Sequence, residues 1–176
     1  KEAGRWAYGY NAFRIDITPY VKFGGKKNLV EVHLNNVEES SRWYPGGGLY
    51  RPVSVELYGN ENFSTWDTFV RTLKADKQEA EVEVNALLEG KIGKSGKTVI
   101  ALLDEAGTKV AEQTISGATP AIKTTLKVAN PQLWSPESPY LYQVKLTRYE
   151  GKKVADVQTL SLIHISEPTR LDVISY

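Results

Sequence analysis

Alternation of apolar and polar residues is the main local signal along the chain. In Asn28–Leu34 (NLVEVHL), Val30, Val32 and Leu34 fall on one face, while Leu29, Glu31 and His33 fall on the other. A half-buried strand has that period of two. The same pattern recurs in RPVSVEL, which aligns Val53, Val55 and Leu57, and in AEVEVNALL, which aligns Val82, Val84 and Ala86. KTVIALLD (Lys97–Asp104) is a continuous apolar run; Glu-Ala-Gly and then TKVAEQTI follow it, which predicts a hairpin with a Gly-containing loop. YLYQVKLTRY and KKVADVQT flank Glu150-Gly151 and predict a second hairpin. No window sustains a 3.6-residue apolar stripe over three turns, so the class is all-β. One short helical turn is expected at Asp16–Val21, with Asp16 or Thr18 capping free N–H groups and Pro19 at the first helical position.

The polar stretch Tyr58-Gly-Asn-Glu-Asn62 is turn-forming, and the strand pattern starts afresh after it, so a domain boundary is placed near residue 60. Residues 1–60 then read as the closing part of a domain. Residues 61–159 are long enough for the roughly seven strands of a sandwich of about 100 residues.

Composition narrows the partners. The 22 basic and 21 acidic side chains are interspersed and leave a net charge of +1, which builds no field for a polyanion and argues against nucleic acid. No stretch approaches the roughly 20 apolar residues of a spanning helix, so no membrane partner is expected. The absence of cysteine removes disulfides and thiolate chemistry together. His33 stands without a partner and makes no metal site, and no cofactor is expected. Neither compartment nor oligomeric state follows from the sequence.

Three segments carry a family resemblance. GYNAFRIDITPYVKFGGKKNLVEVHLNN, SRWYPGGGLYRPV and ANPQLWSPESPYLYQVKL occur in that order and together span most of residues 9–159. They resemble glycoside hydrolase family 2, the group of β-galactosidases, β-glucuronidases and β-mannosidases. The resemblance implies a jelly-roll sugar-binding domain ending near residue 60 and an immunoglobulin-like β-sandwich over 61–159. It also implies a TIM barrel, absent from this chain, that carries two catalytic glutamates in a retaining mechanism. On that reading the chain is a non-catalytic fragment, most similar to the β-galactosidase type, that packs against the barrel. Its parent takes a carbohydrate substrate and hydrolyses terminal β-linked sugars. A reading from another class makes it a carbohydrate-binding or adhesion module with immunoglobulin-like domains.

The residues agree with a supporting role. Retaining hydrolysis needs two carboxyl groups about 5–5.5 Å apart, one with a raised pKa. The adjacent pairs Glu38-Glu39 and Asp104-Glu105 sit in turn-like, hydrophilic contexts and read as solvated turn carboxylates, so no catalytic residue is assigned. Two readings stand for Arg42, Trp43 and Tyr44: Trp43 and Tyr44 cover the domain core, or all three project as a substrate rim, for which Trp6, Tyr8 and Asn11 are further candidates. For Gly46, Gly47 and Gly48 the structural expectation is positive φ or close backbone approach, and for Arg51 bonds to carboxylates or carbonyls across the corner. Asp16 and Thr18 belong to the capped turn. Trp134, among Pro131, Pro136 and Pro139, is expected to fill the end of the sandwich.

Residues 160–176 break the family pattern. Leu160–Arg170 (LSLIHISEPTR) reads like the translation of an adaptor used in preparing DNA sequencing libraries. These seventeen residues are therefore expected to be a non-native tail, although LSLIHIS has the alternation a sheet edge requires.

Overall fold

The computed structural model describes residues 1–37 and 46–166, apart from the side chains of Ser161 and Leu162. The chain divides into two units, 1–55 and 56–176.

The second unit is an antiparallel sandwich of eight strands: β1 (Glu61–Phe63), β2 (Phe69–Ala75), β3 (Glu79–Gly90), β4 (Gly96–Leu103), β5 (Lys109–Ser116), β6 (Ala121–Ala129), β7 (Tyr142–Glu150) and β8 (Lys153–Ile163). One sheet centres on β3, which pairs with β1, β2 and β6. The other runs β5-β4-β7-β8. Eight strands occur where about seven were expected because two short segments share one side of β3: β1 meets Leu88–Gly90 and β2 meets Ala80–Asn85. This two-sheet arrangement, in which β3 finds β6 across the β4–β5 hairpin, is immunoglobulin-like.

The alternation read from the sequence becomes the core. Ala80, Val82, Val84, Ala86 and Leu88 of β3 face Ile100 and Leu102 of β4 and Tyr142, Val144 and Leu146 of β7, all buried. Each such aliphatic side chain contributes roughly 1.5–3 kcal/mol by leaving water. Both expected hairpins form. In the first, Asp104 accepts a hydrogen bond from the Thr108 N–H at 2.7 Å through its side chain, while the Gly107 N–H donates to its carbonyl. Gly107 supplies the positive φ this turn needs (+79°). In the second, Gly151 does the same at +59°.

The stretch before β7 is fixed by three features. Asn130 has φ +48°, a conformation that asparagine tolerates better than most residues. Pro131 is buried behind it. The Tyr142 hydroxyl accepts the Gln132 N–H at 2.8 Å, so an aromatic at the start of β7 ties back to the chain ten residues upstream, as in the tyrosine corner of such sandwiches.

Among the described residues of the first unit, the expected capped turn forms. The Tyr20 and Val21 N–H groups both donate to the Ile17 carbonyl, and the Thr18 N–H donates to Asp16 Oδ1 at 2.8 Å. Asp16 is therefore the cap. The strands expected at Asn28–Leu34 and in RPVSVEL do not form, since no ladder exists among the described residues of 1–60. Their apolar faces stand in solvent, with Val53 and Val55 67% and Leu57 83% exposed. Alternation specifies which face a strand buries, but a strand exists only where neighbouring backbone accepts its hydrogen bonds and a second layer covers that face.

Candidate functional site

The rim candidates of the first unit that lie in described residues are all exposed. The Trp6 ring stacks on Phe13 with centroids 5.6 Å apart and planes 11° from parallel. Tyr8 meets Tyr10 edge-on at 5.8 Å. Trp6 (50%) and Tyr8 (58%) thus keep half or more of their surface in water, and Asn11 is exposed nearby in sequence. Arg42, Trp43 and Tyr44 lie outside the described residues.

The glycine corner departs from expectation. None of Gly46, Gly47 and Gly48 has positive φ. Among the described residues, a Cβ added at Gly46 or Gly48 would meet nothing within 4 Å, and one at Gly47 would lie 3.7 Å from the Asn36 Cβ, an ordinary contact. Neither backbone conformation nor close approach within the described residues demands glycine there. Arg51, expected to bond across the corner, instead lies over the Tyr50 ring, 5.5 Å from its centroid, a cation–π contact. At the sandwich end, Leu133 and Tyr140 pack against the core. Trp134 is half-buried, with its ring edge-on to His164 at 5.1 Å and its N–H donating to the Ile165 carbonyl at 2.8 Å.

One dense polar construction among the described residues was not singled out by the sequence. Arg148 of β7 and Glu61 of β1 are each 1% exposed and 2.6 Å apart (Nε to Oε2). The remaining guanidinium donors reach the Gly117 carbonyl at 3.1 Å, the Gly93 carbonyl at 3.2 Å and Thr98 Oγ1 at 3.4 Å. Glu61 Oε1 accepts the Gly93 N–H at 2.6 Å. Burial pushes the Glu61 pKa up, but the Arg148 hydrogen bond, the Gly93 N–H and the Arg148 charge together outweigh it and hold the carboxyl below its ordinary value. The sequence did carry a trace of this arrangement. Tyr142, Val144, Leu146 and Arg148 share one parity, which puts a cation at an inward position.

A second carboxylate, Glu83, lies on the outer face of the β3 sheet under Arg71 (2.9 Å) and Lys123 (3.1 Å). Hydrogen bonds from Asn85 and then Lys123, against the cost of burial and with help from Arg71, lower its pKa to about 2. Asp16 is lowered by its hydrogen bonds with Thr18, and Asp76 by the N–H groups of Glu79 and Gln78.

A general acid for glycoside cleavage needs its carboxyl pKa raised by an apolar or anionic surround. Glu61, Glu83, Asp16 and Asp76 move the other way, each clamped by cations or N–H groups. This is the chemistry of struts. Among the described residues no group of three His, Asp or Glu side chains is set to hold a metal.

Comparison with known proteins agrees with the resemblance. The sequence profile described as "Glycosyl hydrolases family 2" matches residues 63–162, the span of the sandwich. A Formosa agariphila protein named "Putative beta-glucuronidase" is 37% identical over 159 residues, covering 89% of this chain and 15% of its own length. A beta-galactosidase of Bacteroides ovatus is 36% identical over 143 residues, covering 77% of this chain and 17% of its own. The crystal structure of a family 2 glycosyl hydrolase from Bacteroides cellulosilyticus superposes with a TM-score of 0.71 at 34% identity, over 88% of this chain and 22% of that one. The chain therefore spans about a sixth of the length of the curated relatives it matches. On this profile match and these identities, the chain belongs to glycosyl hydrolase family 2.

Proposed function

We propose that this chain is the non-catalytic β part of a family 2 glycoside hydrolase, and that the parent enzyme cleaves terminal β-linked sugars by a retaining mechanism with two glutamates in a TIM barrel outside the chain. The observation that carries this reading is the conjunction of two facts. The family profile falls on 63–162, the span of the sandwich, and the chain covers only 15–17% of the length of the relatives it matches. Residues 1–60 are read as the end of the jelly-roll domain and 61–159 as a spacer sandwich that packs against the barrel. Trp6, Tyr8 and Asn11, with Arg42, Trp43 and Tyr44, are rim residues, of which the rings of Trp6, Tyr8, Trp43 and Tyr44 stack on sugar C–H surfaces.

The relatives carry the names of both β-galactosidases and β-glucuronidases. A β-galactoside is the substrate assigned here, and a β-glucuronide is its competitor. Sequencing the intact gene and assaying its product on chromogenic β-galactosides and β-glucuronides tests the reading. The expected result is a (β/α) pattern of roughly 300 residues after the sandwich with two separated glutamates at strand ends, and turnover of the galactoside. Preferential turnover of the glucuronide overturns the sugar assignment alone. A further sandwich in place of the barrel, with no turnover, overturns the enzyme assignment.

A further inference from the structure

The two outer faces of the sandwich are built in opposite ways. On the sheet centred on β3, charges answer one another. Glu83 lies between Arg71 and Lys123, Glu81 meets Lys127 at 3.1 Å, and Lys74 stands 3.7 Å from Asp76 and 4.0 Å from Glu79. Exposed pairs of this kind are at home in water and gain little from being covered.

The β5-β4-β7-β8 sheet carries a different surface. Ile100 of β4 and Leu146 of β7 point into the core, so Val99 and Thr147, one residue away, point outward. The register sets Thr114, Val99, Thr147 and Val157 side by side across all four strands, an uncharged row of β-branched residues. The next row holds Lys97, Tyr149 and Val154. Val154 and Val157 are three residues apart and in an unbroken strand would face opposite ways. The register shift at Arg148/Tyr149 leaves Ala155 as an extra residue in β8 and turns both valines outward, each 46% exposed. Lys97 lies over the Tyr149 ring at 5.2 Å from its centroid. Among the described residues no carboxylate comes within ion-pair distance of Lys97 or Lys145. This face has the make-up of an interface, with an uncharged centre and charge at its margin.

We propose that the outer face of β5-β4-β7-β8 is the surface by which the sandwich docks onto the catalytic barrel of its parent. The barrel surface that meets it is apolar opposite Val99, Thr147 and Val157 and acidic opposite Lys97 and Lys145. The inference rests on the hydrolase reading above, since its occupant is the barrel named there. Three observations choose this face and this occupant. Its cations lack the partners that those of the other face possess. The chain spans about a sixth of the length of its curated relatives, which leaves most of such a protein to supply a cover. The two outward valines lie on β8, the last strand within the family match, so polypeptide that follows the sandwich departs from the border of this face.

Thiol labelling tests it, because this chain has no cysteine of its own. Val157→Cys places a thiol in the β-branched row. Thr125→Cys places one on the opposite outer face, where Thr125 is exposed and pairs in register with Glu83. Each substitution is made in this chain and in the intact gene product, and modification at that position is followed by peptide mass mapping. In this chain both thiols should react at rates within a few-fold of each other. In the intact product the thiol at 157 should slow on the order of tenfold or more, since it reacts only when the interface opens, while the thiol at 125 keeps its rate. Val157→Lys should likewise leave the urea midpoint of this chain unchanged and lower that of the intact product. If Val157→Cys fails to fold in either form, Val154→Cys takes its place in the same comparison. An intact product that contains the barrel and turns over glycoside, yet labels freely at 157, overturns this proposal and leaves the hydrolase reading standing. Protection at 125 instead of 157, or equally at both, also overturns it, by showing that this face is not the one selected. An intact product with neither barrel nor turnover overturns the hydrolase reading and this proposal together.

Discussion

Replacing Glu61 by Gln is the sharpest perturbation the sandwich offers. The change keeps the shape and leaves an oxygen for the Gly93 N–H, but it removes the charge facing Arg148 at 2.6 Å. Arg148 would remain 1% exposed, with only the carbonyls of Gly93 and Gly117 and the Thr98 hydroxyl for company. Stripping one partner from a buried pair costs about 3–5 kcal/mol, against a total stability of about 5–15 kcal/mol for a domain. Arg148→Met should cost a similar amount, but with a different pH signature. The stranded Glu61 carboxylate can escape by taking up a proton, so the deficit of Arg148→Met shrinks as the pH falls below neutrality, while that of Glu61→Gln does not. The double variant removes both charges and should cost less than the sum of the singles by more than about 1 kcal/mol.

In the unaltered chain the folded-state pKa of Glu61 is depressed below 4.5. Its contribution to stability is therefore present above that value and is lost as the pH falls through the folded-state pKa. Urea unfolding followed by tryptophan fluorescence and far-ultraviolet circular dichroism measures all four chains. A loss below about 1 kcal/mol for Glu61→Gln at neutral pH, or strict additivity in the double variant, would refute the claim of a desolvated, coupled pair.

Gly96→Ala should destabilise the sandwich by about 1–3 kcal/mol in the same unfolding assay. Its Cβ would lie 2.2 Å from Arg148 Nη2, and the guanidinium is pinned by the Gly117 and Gly93 carbonyls. Gly48→Ala, whose Cβ meets nothing within 4 Å among the described residues and needs no positive φ, should shift the midpoint by less than about 0.5 kcal/mol. Leu146→Ala should cost about 2–5 kcal/mol, because the side chain is fully buried between the sheets. For Glu83 the folded-state pKa of about 2 lies below 4.5, so its stabilisation is complete above 4.5 and disappears toward pH 2. Glu83→Gln should accordingly flatten the acid limb of the stability profile measured by urea midpoints across that range.

What could be read from the sequence was whatever alternation encodes by itself. β3 shows its inward residues at every second position, and the two hairpins announce themselves through Gly107 and Gly151 between apolar runs. β6 was passed over. Its inward positions Ile122, Leu126 and Val128 are separated by Thr124 and flanked by lysines, so the apolar signal is diluted, and only pairing with β3 reveals the strand. In the first unit the same signal misled, because Val30, Val32 and Leu34 alternate perfectly yet find no partner backbone among the described residues.

The Glu61–Arg148 pair joins residues 87 positions apart. Parity marks Arg148 as inward, but no local rule names the carboxylate that meets it. The end of β8 was foreseen only as an alternating segment with what a sheet edge requires. That the segment crosses to bond with Thr72 of the other sheet depends on three-dimensional closure. The rim candidates stand where sequence could least decide, since a tryptophan or tyrosine in a loop serves equally well to cover a neighbouring domain or to stack on a sugar.

The decisive measurement is hydrolysis of chromogenic β-galactosides and β-glucuronides by this purified chain, run beside the product of the intact gene. The account predicts no turnover above the uncatalysed blank for the chain alone and clear turnover for the whole enzyme. Reproducible turnover by the chain itself, lost when one of its own carboxylates is replaced, would contradict it.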